Sequence, residues 1–269
     1  MSFAEFYDRY IGFGQYLKDT IDSRPTTFGV FSVYHITLTL IVLTFDALFL
    51  YFTRKDSDEE LERKMRIVAF TMLGLEILRM IWFSVYRPDT YFIRFDWCNQ
   101  VCLWMPICIL ARFRKSYPFF MGAAFLGGMG VMIYPLWVFR DYGGFHFMSI
   151  QSMISHGLMV LTSVLLMRMY HIKGRQREIA ISVISGFTIM ALIAMMFSLI
   201  RNINYMAMLS PKGLPIVANI PAPFHLIIVL PAELLGFFLV IQGFYYLQKK
   251  FLCKEEDTDE FVQEPDLTA

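Results

Sequence analysis

Seven stretches of this chain are apolar enough, and long enough, to cross a lipid bilayer: residues 28–53, 67–86, 95–113, 117–139, 145–170, 178–201 and 224–248. The hydrocarbon layer is about 30 Å thick, so a helix needs about 20 mostly apolar residues to cross it. The third and fourth stretches are separated only by "RKS" at 114–116, which reads as a tight helical hairpin. The expected fold is therefore all-α, a polytopic bundle of seven transmembrane helices over residues 28–248.

Composition agrees: 57% of the 269 residues are hydrophobic, 17% are charged, and 27 are Phe. A formal net charge of +1 leaves no dense basic surface for nucleic acid. The four cysteines lie mostly in apolar sequence, which argues against a secreted disulfide framework. No Cys or His spacing suits zinc, so no metal site is expected, and no cofactor is implied.

Charge sets the expected orientation. Of the 24 Lys and Arg, 15 follow the first, third, fifth and seventh stretches, as at Arg54, Arg112, Arg175 and Lys249. The side richer in these residues is the cytoplasmic one, which places the N-terminus outside and the C-terminus inside. Residues 1–27 are aromatic and amphipathic and read as an interfacial segment; residues 249–269 are acidic and read as a disordered cytoplasmic tail.

Ionisable groups inside a membrane are costly, and are candidates for function or for pairing with each other. His35, Thr39 and Asp46 fall on one face of the first helix. Glu76 and Arg79 are three apart on the second, and so are neighbours. The third helix carries Asp96, Asn99, Gln100 and Cys102. Gln151, Ser152, Ser155 and His156 lie on the fifth, and Glu233 follows Pro231 on the seventh. A rise of about 1.5 Å per residue puts Cys102, His35 and Arg79 roughly 10 Å below the outer surface and His156 about 16 Å below it. Asn204 and Tyr205 sit at the rim of this polar layer.

The order "CNQVCLWMPICILARFRKSYPFFMGAAFLGGMGVMIYP", then "FHFMSIQSMISHGLMVL", then "NINYMAMLSPKG" resembles the YwaF-type bacterial integral membrane proteins. That family has an "LPLHLC"-like motif, a turn ending in Tyr-Pro, a Gly-rich helix, a Ser-His-Gly helix and a late Asn-Tyr. Cys102 stands at the motif cysteine, Gln100 replaces the motif histidine, and His156, Asn204 and Tyr205 match the later motifs. The family looks distantly related to a eukaryotic acyltransferase that loads acyl chains onto ether phospholipids, and to androgen-induced lipid hydrolases. The resemblance implies a bacterial plasma membrane, a phospholipid substrate, Cys102 as nucleophile and His156 as base.

On that reading, Asn99 or Gln100 would donate to the oxyanion, Arg79 would bind phosphate, and Glu76, His35, Glu233, Asn204 and Tyr205 would line the substrate site. Two other classes use the same residues differently. A transporter or small-solute receptor would depend on Asp46, Glu76, Arg79 and Glu233. A scaffold would keep the polar groups as contacts between helices.

Overall fold

The computed structural model describes residues 2–12, 31–86, 93–134, 145–170, 172, 174–210 and 219–252. Among them are eight α-helices and no strand. A short α1 (Phe3–Tyr10) precedes α2 (Val33–Phe52), α3 (Asp58–Tyr86), α4 (Trp97–Leu110), α5 (Tyr117–Ile133), α6 (Phe147–Met169), α7 (Gln176–Arg201) and α8 (Leu226–Leu247). The last seven occupy the seven apolar stretches. Six of them, α2, α3 and α5 to α8, are long and apolar enough to cross a membrane; α4 has only 14 residues. The expected interfacial segment is described at 2–12, where Ser2 and Glu5 cap α1 reciprocally. Residues 13–27 of that segment and 253–269 of the tail lie outside the described residues.

α5 and α6 form the centre. The apolar window of α6 is 78% buried, against 17% for α2 and α8, whose Leu40, Ile41, Leu235 and Leu239 face outward. Lipid is as apolar as leucine, so helices associate in it by close packing and interhelical hydrogen bonds rather than by escape from water. Small residues on α5 permit the approach. A Cβ built at Gly128 would lie 2.7 Å from the His156 carbonyl oxygen and 2.7 Å from Val160 Cγ2. Ser163 adds a hydroxyl bond of 2.6 Å to the Met121 carbonyl. The Gly-rich run thus serves packing, and it fixes the backbone height of His156.

This contact makes a prediction. Gly128→Ala should destabilise the fold by about 1–3 kcal/mol, because a backbone carbonyl cannot turn aside as a side chain can. Gly130, with nothing within 4 Å of its virtual Cβ, is the control. Gly130→Ala should stabilise by up to about 1 kcal/mol through helix propensity. Thermal midpoints in detergent compare the two.

Candidate functional site

The polar interior is built where α3, α4 and α6 meet under α5. α4 starts at Trp97, with Asp96 as N-cap residue. The Asp96 carboxylate makes no capping bond; it accepts from Arg94 Nε at 2.7 Å and from Asn99 Nδ2 at 3.4 Å. Asn99 is half-buried at this mouth. One turn further in, the buried thiol of Cys102 lies 3.5 Å from the Met159 sulfur on α6. Cys98 rests against Gly127, as does the methyl group of Met159. The two cysteines and Met159 thus form a sulfur-rich junction of α4, α5 and α6.

Pro106 sits inside α4, four residues beyond Cys102. A proline has no N–H, so the Cys102 carbonyl lacks its normal helical donor. The break is legible in "CLWMP" itself, where a proline stands inside an apolar helical run.

His156 is 7% exposed. Its Nδ1 lies 2.6 Å from the Ser152 carbonyl oxygen and 3.3 Å from the Ser152 hydroxyl. A carbonyl only accepts, so Nδ1 carries the proton and Nε2 holds the lone pair. That Nε2 is buried and has no hydrogen-bond partner. No hydrogen bond joins it to Cys102. The thiol instead meets α6 at Met159, three residues on from His156 and so its neighbour on the helix surface, at about 5–6 Å between Cβ atoms.

Glu76 and Arg79 close the site on the α3 side. They form a buried fork, with Nε to Oε2 at 2.9 Å and Nη2 to Oε1 at 2.5 Å. On the facing side of α6, Gln151 Nε2 donates to the Leu75 carbonyl at 3.3 Å and to the Ser155 hydroxyl at 3.0 Å.

The remaining candidates lie elsewhere. Gln100 Nε2 already donates to the Phe95 carbonyl at 2.9 Å and the Met190 carbonyl at 3.3 Å, and it points toward α7. His35 accepts the Phe31 N–H at Nδ1 and donates from Nε2 to the Met132 carbonyl at 2.9 Å, tying α2 to the end of α5. Asn204 folds the loop after α7: its amide donates to the Ser210 carbonyl, and its oxygen accepts the N–H groups of Leu209 and Ser210. Tyr205 is buried, with its N–H on the Ser198 hydroxyl at 3.1 Å. Glu233 on α8 has one buried oxygen without a partner. Asp46 on α2 has two, and one of them lies 3.4 Å from the position of a Cβ at Gly157.

Six apolar helices of spanning length around a buried polar interior define a multi-pass helical membrane protein. The chain belongs to the TMEM164 family, which matches it over residues 30–241. No curated protein and no solved structure matches the chain.

Proposed function

We propose that this protein is an intramembrane acyltransferase or acyl hydrolase that acts on a phospholipid ester through Cys102 and His156. The observation that supports it most is the unpartnered Nε2 of His156, buried one helical neighbour from the Met159 side chain that touches the thiol. A buried imidazole lone pair without a donor is costly as a mere packing element. As the acceptor of the Cys102 proton it has a task.

In the first half-reaction, Nε2 takes the Cys102 proton and the thiolate attacks the ester carbonyl, forming a C–S bond. The tetrahedral oxyanion collapses, the C–O bond to the glycerol breaks, and the imidazolium returns its proton to the departing alkoxide. In the second, the hydroxyl of a lyso-lipid or water gives its proton to Nε2 and attacks the thioester. The C–S bond breaks and the thiolate is reprotonated. Asn99, one turn before Cys102, is the side-chain amide left to face the oxyanion, because the Gln100 amide is committed to two carbonyls. The Ser152 carbonyl holds the ring in the useful tautomer.

The similarity to YwaF-type proteins supports a bacterial plasma membrane. The bias of Lys and Arg supports seven crossings, with the N-terminus outside. A second reading, a solute or proton transporter, draws on the unpartnered carboxylate of Asp46. Mass spectrometry separates the two. Protein purified with native lipid should carry a hydroxylamine-sensitive acyl group on Cys102, absent from Cys102→Ala. A wild-type protein that never acquires the adduct, though folded and supplied with phospholipid, would turn the case toward Asp46.

A further inference from the structure

The spanning helices keep nearly all of their strongly polar side chains away from lipid. In their apolar parts, His35, Asp46, Glu76, Arg79, Gln151 and His156 are buried, and Glu233 is half-buried. Gln242 on α8 departs from this: among the described residues it is the one amide or ionisable side chain exposed there. It lies seven residues before Lys249, about 10 Å along the helix, and so within the hydrocarbon.

Hydrocarbon offers no hydrogen bonds, so an amide left in it is costly unless another protein group reaches it. Gln242 has no hydrogen-bond partner among the described residues. Outward-facing threonines differ, because a hydroxyl can bond the carbonyl one turn back, as Thr71 bonds Ile67 at 3.0 Å. A glutamine amide carries two donors and an acceptor, and here they have to be met from outside the chain.

Its neighbours extend the face. Ile228, Ala232, Leu235, Leu239, Gln242 and Tyr246 are all exposed, and they recur at alternating spacings of four and three residues. That is the seam along which two helices coil left-handedly around each other. Gly243 flanks the seam with nothing within 4 Å of its virtual Cβ, so no contact inside the chain needs a glycine there, and a second backbone can come close.

The amide also selects what packs on the seam. A primary amide is self-complementary, its NH2 donating to the oxygen of its twin and its oxygen accepting in return. A second copy in the same membrane orientation, related by a two-fold axis along the membrane normal, brings Gln242 opposite Gln242 at equal depth. A lipid tail offers the amide nothing, and an unrelated helix would need a matching group at that same depth. One polar residue in an otherwise apolar seam fixes register and the number of strands.

We infer that two copies of this chain pair in parallel along α8, with the Gln242 amides hydrogen-bonded to each other across the axis. Phe237, Ile241 and Phe244 turn the opposite side of α8 into the bundle, so the pairing is independent of the Cys102 chemistry.

The test uses the full chain with a fluorophore at its N-terminus, reconstituted into large phospholipid liposomes over a range of protein-to-lipid ratios, and counts photobleaching steps per spot. Two-step spots should rise with density along a monomer–dimer isotherm, with no larger species. Gln242→Leu should weaken association about tenfold, the worth of an interhelical amide pair. Gln242→Asn, which keeps an amide, should hold it within about threefold, and Gly243→Leu should abolish it. Leu40→Trp on the outer face of α2 should change nothing. The Gln242 and Gly243 variants replace exposed residues, so their thermal midpoints as dilute monomers in detergent should not fall below that of wild type. Cys102→Ala should pair as wild type, so that loss of the acyl adduct and loss of pairing are read separately. Single-step spots at every density, or a dimer that survives both Gln242→Leu and Gly243→Leu, overturn the assignment.

Discussion

Replacing His156 with Gln is expected to slow thioester formation on Cys102 by about 10²–10⁴-fold, the usual contribution of a positioned general base. Gln retains a donor for the Ser152 carbonyl that now holds Nδ1, so the local fold survives. It has no lone pair basic enough to take a thiol proton. The deficit should narrow as the pH rises, because hydroxide then replaces the imidazole in generating thiolate. Met159→Leu is the companion variant. It keeps the volume but removes the sulfur 3.5 Å from the thiol, at a stability cost below about 1.5 kcal/mol, and the rate should not fall. Rapid quench with a labelled phospholipid and intact-mass detection measures all three proteins. A His156→Gln protein that acylates as fast as wild type would leave Cys102 without its base.

Breaking the Glu76–Arg79 fork should produce the largest loss of stability in the molecule. The two side chains are 3% and 6% exposed, so neither charge can turn to water when its partner is removed. Arg79→Met alone strands a buried carboxylate, and a cost of about 3–5 kcal/mol is expected. The double variant Glu76→Met, Arg79→Met should recover most of that loss, because two apolar side chains replace the pair without leaving a charge behind. Denaturation in mixed micelles reads the cycle. An Arg79→Met protein of wild-type stability that no longer turns over phospholipid would give the guanidinium the headgroup role expected from the sequence.

Hydropathy located the seven helices but misjudged their ends, for a physical reason. α3 begins at Asp58, nine residues before the apolar stretch, because "DEELERKMR" carries acidic residues in its first turn and continues the helix outside the hydrocarbon. α4 ends at Leu110, before Arg112, which adopts a positive φ of 55° in the turn toward α5. The Glu76–Arg79 contact was legible, since a spacing of three on a helix makes neighbours. The involvement of Met159 was not, because a methionine in an apolar run reads as core. Nor could spacing show that the Gln100 amide turns to Met190, or that Asn204 uses its side chain to fold a loop. Those outcomes depend on which helix lies opposite, and that is fixed by tertiary packing.

On the seven-crossing arrangement proposed above, the 14 residues of α4 would reach about 21 Å, some 9 Å less than the hydrocarbon layer. Hydrophobic mismatch of this kind is relieved when the bilayer thins around the short element. Thinning lowers the glycerol backbone of an adjacent lipid, and Cys102 lies only five residues, about 7.5 Å, along the helix from Trp97. On the acyl-transfer reading proposed above, the short helix would shorten the distance between a phospholipid ester and the thiol without either leaving its own layer. The same reading would tie the proposed chemistry to bilayer thickness, so that lengthening the surrounding acyl chains should act on this protein as an inhibitor that occupies no site.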